Sequence, residues 1–141
     1  MKRIILTGAL VLGSLLSFNA MAQMSEEDAQ NAVAQRQAVF KLLSFSNGPL
    51  GQMARGNMEF DLATAVEGSE RVAMLAGLIP ELFAADTSGM MGLETRAADT
   101  IWDNQADFAA LAADLAEGAN AAIEILNSQG AAGIRDAVAQ I

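Results

Sequence analysis

The chain has 141 residues, with no cysteine, no histidine and no tyrosine, and sets 8 basic residues against 17 acidic ones for a net charge of −9. Without Cys or His there is no thiolate nucleophile, no imidazole base, no disulfide and no common soft metal ligand, which removes most catalytic constellations and the Glu-x-x-His motif of di-iron bundles. The negative field disfavours nucleic acid and anionic lipid as partners and leaves open a basic partner protein or a neutral small ligand, unless the charge serves solubility alone.

At the N-terminus, basic Met1-Lys2-Arg3, apolar Ile4 to Phe18 and the small-residue site Ala20-Met21-Ala22 predict a cleaved Sec-type signal peptide over residues 1–22. The apolar run is shorter than the ~20 residues a membrane span needs, so no membrane association is expected after cleavage. The remaining 119 residues carry 6 basic and 17 acidic side chains, a net charge of −11, and suffice for one domain held by packing alone.

Alanine, leucine and methionine dominate, and no stretch alternates with period two for long, so the domain is read as all-α. Ser25, followed by Glu26, Glu27 and Asp28, reads as an N-cap with an acidic first turn. The helix it opens runs through Leu43 and, with a bend at Asn47-Gly48-Pro49, to about Arg55. Asp61 caps a second helix with a stripe of Leu62, Ala65, Val66, Ser69, Val72, Ala73, Ala76 and Ile79, and Pro80 lies near its end. Ala84 to Gly92 is the long connection. A third helix is expected from about Thr95 to Asn127, with Ile101, Phe108, Leu111, Ala112, Leu115, Ala119, Ala122, Ile123 and Leu126 inward. Ile134, Ala137, Val138 and Ile141 then fall at i, i+3, i+4 and i+7, a fourth helix still presenting its buried face at the last residue. An antiparallel four-helix bundle with a truncated fourth helix is the predicted architecture.

Within the first helix, Val33, Arg36, Gln37 and Phe40 also follow i, i+3, i+4, i+7, so a guanidinium and an amide are expected on a face that points into the bundle. A buried charge needs a partner, which an anionic cofactor would supply; Arg36 snorkelling at the edge of the stripe is the alternative.

The stretch "QRQAVFKLLSFSNGPLGQMARG" resembles the first-helix signature of the cytochrome c' (cytochrome c prime) family, the class II c-type cytochromes: Arg-Gln, an apolar distal residue, a Gly-Pro bend, Met, a basic residue and Gly. "IPELF" at Ile79 to Phe83 is similar to the end of that family's second helix, and "ETRAADTIW" at Glu94 to Trp102 to the start of its third. The resemblance implies haem c as cofactor, with Arg36 and Gln37 at the propionate edge, Phe40 over the distal iron face, Glu94 and Thr95 at the pocket rim and Met53 as a core contact. Phe40 stands where low-spin relatives place a ligating Met, which favours the five-coordinate type, suited to electron transfer and to binding small gases such as nitric oxide.

In that family the fourth helix continues through Cys-x-x-Cys-His, whose thiols attach the haem and whose imidazole ligates iron. Ile141 falls short of that motif, so the expectation is a sequence cut before it, with no covalent attachment and no metal ligand within the chain as written. The expected protein is a periplasmic, non-enzymatic electron carrier or gas binder that meets a redox partner protein. A two-fold homodimer is expected through apolar residues such as Val39, Leu42 and Phe45, outside the Val33 to Phe40 stripe. A haem-free exported scaffold or interaction module is the second reading.

Overall fold

The computed structural model describes residues 24–141; the expected signal peptide and its cleavage site lie outside the described residues. Among these, every regular element is helical: α1 (Glu26–Ala54), α2 (Leu62–Leu82), α3 (Thr100–Asp103), α4 (Gln105–Gln129), a 3-10 turn (Gly130–Gly133) and α5 (Ile134–Val138). No described helix is long and apolar enough to cross a membrane.

Both predicted N-caps are in place. The Ser25 hydroxyl accepts the Asp28 N–H at 3.1 Å, and the Asp61 carboxylate accepts the Thr64 N–H at 2.7 Å, each satisfying a donor that a first helical turn leaves free. Helix α1 passes unbroken through Pro49, which has no N–H to give the Phe45 carbonyl. Its buried positions are Ala29, Val33, Arg36, Val39, Leu43, Ser46, Leu50 and Met53, a mean spacing close to the ~3.5 residues of a coiled-coil seam. That corrects two expectations. Gln37 and Phe40 lie beside the seam and are exposed, whereas Val39, expected on a dimer surface, is in the core at 4 % exposure.

The bundle closes in a ring. Helix α2 packs on α1 and most heavily on α4, while α5 packs on α4 and α1, so α1 and α4 lie diagonally across the core. One cluster, at the level where α2 ends, gathers Val39, Leu43, Val72, Ile79, Phe83, Ala112 and Ala119. The other gathers Leu50, Met53, Ala65, Ala122, Leu126, Ile134 and Ala137, and Ile141 touches both. Leu50 and Leu126 are wholly buried, each contributing about 1.5–3 kcal/mol by removal from water.

The third helix begins later than expected. Residues 95–99 are irregular, α3 is one turn, and Asn104 (φ −131°, ψ 43°) separates it from α4. One local bond competes with the helix, the Thr95 hydroxyl accepting the Ala97 N–H at 3.1 Å, while the Trp102 indole N–H ties α3 back to the chain after α2, shared between the Phe83 and Ala85 carbonyls at 3.1 Å each. Leu111, expected inward, is 66 % exposed. Gln140 packs against α4 at Gly118, where any Cβ would collide with its carbonyl, about two turns of α4 from Leu111.

Candidate cofactor cleft

Above the end of α5, a cleft of about 860 Å³ opens between α1 and the segment running from residue 95 into α4. Val33, Arg36, Gln37, Phe40, Lys41 and Ser44 form one wall; Thr95, Arg96, Ala97, Ala98, Ile101 and Phe108 form the other; Phe83 closes the floor from the end of α2. The rings meet on Phe83: Phe40 stands edge-on at 6.3 Å, Phe108 lies at 4.8 Å and Trp102 at 6.4 Å between centroids. A volume of this size with mostly apolar walls and a few polar side chains is typical of a small-molecule or cofactor site.

Arg36 is 2 % exposed, yet its guanidinium is not left without partners. Nε donates to the Leu82 carbonyl at 2.8 Å, one terminal nitrogen donates to the Thr87 hydroxyl at 2.8 Å, and the other donates to the Ala85 carbonyl. The cation also lies over the Phe83 ring at 4.7 Å and the Trp102 ring at 5.2 Å. Burial pushes its pKa down and the Asp86 carboxylate pulls it back, and a guanidinium stays charged through either change. The outside anion expected from the sequence is not needed to satisfy Arg36: the end of α2 and the connection after it supply three neutral oxygens.

The remaining expected site residues divide. Gln37 donates to the Glu94 carbonyl at 2.9 Å, fastening the segment before Thr95 to α1, and Glu94 lines a smaller hollow of about 290 Å³ beside Gln30 and Gly92. Phe40 and Thr95 line the main cleft. Met53 does not: it is buried in the second core cluster with Leu50 and Leu126. Arg36, Gln37, Phe40, Glu94 and Thr95 are thus brought together and Met53 is left apart.

Sequence reasoning missed Lys41, Arg96, Phe108 and Thr87 as parts of this region. The last is 4 % exposed within a Gly- and Ser-rich connection whose lack of periodicity gave no sign of burial. Phe83 and Trp102 were visible only as members of short motifs. Among the described residues, no group of three or more His, Cys, Asp or Glu side chains is arranged to hold a metal ion.

Residues 31–141 match the family model described as Cytochrome C'. A cytochrome c' of Rhodopseudomonas palustris is 33% identical over 117 residues, covering 83% of this chain and 73% of that protein. One from Cereibacter sphaeroides is 32% identical over 101 residues, covering 71% and 67%. The solved structure of cytochrome c' from Rhodopseudomonas palustris superposes with a TM-score of 0.70 at 29% identity, covering 77% of this chain and 84% of that one. That from Rubrivivax gelatinosus gives 0.66 at 27%, covering 79% and 86%. Sequence and bundle agree, and the chain belongs to the cytochrome c' family.

Proposed function

We propose that the cleft seats a haem-type tetrapyrrole and that the protein serves in the periplasm as an electron carrier or a binder of small gases such as nitric oxide, without catalysing a reaction of its own. The observation that carries this reading is the make-up of the cleft: Phe40, Phe83, Ile101 and Phe108 offer apolar walls to a flat ring, while Gln37, Lys41, Thr95 and Arg96 stand where its acid edge would lie. When bound, haem supplies an iron that carries an electron or takes up a gas molecule. With such a ring bound, Phe40 would lie against it with a side chain that cannot ligate iron, and Phe83 and Phe108 would help to hold water away from it. These 141 residues hold no thiol for a thioether and no imidazole for the iron, so they would hold the ring by packing and by its acid edge.

Titration of the purified chain with haemin, followed at the Soret band, tests this. A saturable spectral change that Phe108→Ala weakens is the expected result. Expression beside the haem-attachment machinery should give no haem that survives denaturing electrophoresis, and a stained band at the mass of the chain would contradict the thioether argument. One observation favours the haem-free scaffold as a second reading: Arg36 has three partners inside the protein, so the fold needs no anion to neutralise it. A flat haemin titration would support that reading over the first.

A further inference from the structure

We infer that residues 93–96 form a gate in the wall of the cleft, latched to α1 by Gln37, and that its opening joins the hollow beside Gly92 to the cleft as a side entrance. This is a matter of access and applies to whatever molecule the cleft takes. Val33 and Gln37 line both spaces, the hollow of about 290 Å³ and the cleft of about 860 Å³. One run of chain faces them in turn: residues 92–94 line the hollow, and residues 95–98 line the cleft. The divide falls at Glu94, the residue whose carbonyl accepts the Gln37 amide at 2.9 Å.

Little else holds this run in place. Among the described residues, the Gln37–Glu94 bond is the one hydrogen bond that joins residues 93–96 to another element; the bonds from the Thr95 N–H to the Leu93 carbonyl and from the Ala97 N–H to the Thr95 hydroxyl are local and travel with the run. Gln37, Glu94, Thr95 and Arg96 are exposed, so when the amide lets go, water replaces both partners and no buried group is left unmade. The two ends of the run differ. Before it, Gly92 takes φ +83° with open space where a Cβ would stand, a joint that no side chain obstructs. After it, Ala97 and Ile101 pack on the first core cluster and the Trp102 indole is bonded to the Phe83 and Ala85 carbonyls, so the movement stops there. A short irregular run with one exposed tie, between a free joint and a packed anchor, is the part of a fold that opens most readily.

Thiol labelling of the ligand-free chain tests the gate. The sequence has no cysteine, so Val33→Cys supplies a single thiol, at a position 7 % exposed on the wall shared by both spaces. Its reaction with N-ethylmaleimide, a small neutral reagent, is followed by mass, and Val72→Cys, in the α2 core at 1 % exposure, serves as the control for global opening. Gln37→Met keeps the length of the side chain and removes the donor. It should speed labelling of the Val33→Cys chain about two- to tenfold, the change in open population that one exposed hydrogen bond holds back, and leave labelling of the Val72→Cys chain unchanged. Emission of Trp102, the only tryptophan, should also stay unchanged, because the anchor does not move. Gln37→Lys, which restores a donor of similar reach, should return labelling toward the parent rate. An unchanged rate in Gln37→Met, an equal acceleration in the Val72→Cys chain, or no rescue by Gln37→Lys would each overturn the gate and leave the tetrapyrrole reading of the cleft untouched.

Discussion

Arg36 joins α1 to the Leu82 carbonyl at the end of α2 and to Ala85 and Thr87 in the following connection, and its charge lies against two aromatic rings. Its removal therefore costs stability without any ligand: Arg36→Leu should lose about 2–4 kcal/mol in urea denaturation of the haem-free chain, from unmade bonds to buried acceptors and lost cation–π contact. Arg36→Lys should recover less than half, because an ammonium cannot present three donors in one plane. A change below about 0.5 kcal/mol for Arg36→Leu would mean the three bonds are not formed in solution. Asp61 makes a pH-dependent contribution. Its bond with the Thr64 hydroxyl, then that with the Thr64 N–H, hold its pKa below the ordinary value of 3.8. A depressed carboxylate stabilises the fold fully above that unfolded value and ceases to do so as pH falls through the lower, folded one. Asp61→Asn keeps a capping oxygen and discards the titration, so the advantage of the parent chain over this variant should shrink in urea midpoints taken from pH ~6 to pH ~2. A constant difference would rule the cap out as an acid-sensitive element.

At the scale of helices, the α1–α2 crossing is set by a residue without a side chain. An added Cβ at Gly68 would meet Leu50 Cδ1 and the Ser46 carbonyl oxygen at 2.7 Å each, whereas one at Gly77, on the same helix, meets nothing within 4 Å. Alanine is the better helix former by about 1 kcal/mol at either position, so the two substitutions separate propensity from packing. Gly77→Ala should stabilise by about 0.5–1 kcal/mol, and Gly68→Ala should destabilise by about 1–3 kcal/mol because a backbone oxygen cannot step aside as a side chain can. Equal effects in chemical denaturation would show that the helices do not approach this closely. Helix α4 makes the complementary point: its seam of Ala112, Ala119, Ala122 and Leu126 is mostly alanine, which lets it lie close against α2 and leaves bulk to Leu115 and Phe108 at the margin.

For the whole molecule, Leu42 at 51 %, Phe45 at 73 % and Met74 at 65 % exposure leave apolar side chains on α1 and α2 that no described element covers. The dimer proposed from the first helix is thus argued from Leu42 and Phe45, with Val39 withdrawn into the core. Two copies of so acidic a chain repel, so sedimentation should show association that strengthens as salt is raised from about 0.05 to 0.5 M and is abolished by Phe45→Glu. Monomer throughout, at high protein concentration and high salt, would refute it.

The sequence by itself determined the helical class, both N-caps and the family, because each rests on near neighbours: a cap needs a hydroxyl or carboxylate three residues before an N–H, and a helix needs only its own period. It also placed Gln37, Phe40 and Thr95 at a common cleft through short motifs in a shared order. Tertiary structure alone decided which way α1 faces: after Val33 and Arg36 the buried seam continues through Val39 and Leu43, so Val39 is buried and Phe40 exposed. It alone decided the partner of Arg36, because the three oxygens that satisfy it lie 46, 49 and 51 residues along the chain, at the end of another helix and in an aperiodic connection that no local rule could bring beside it.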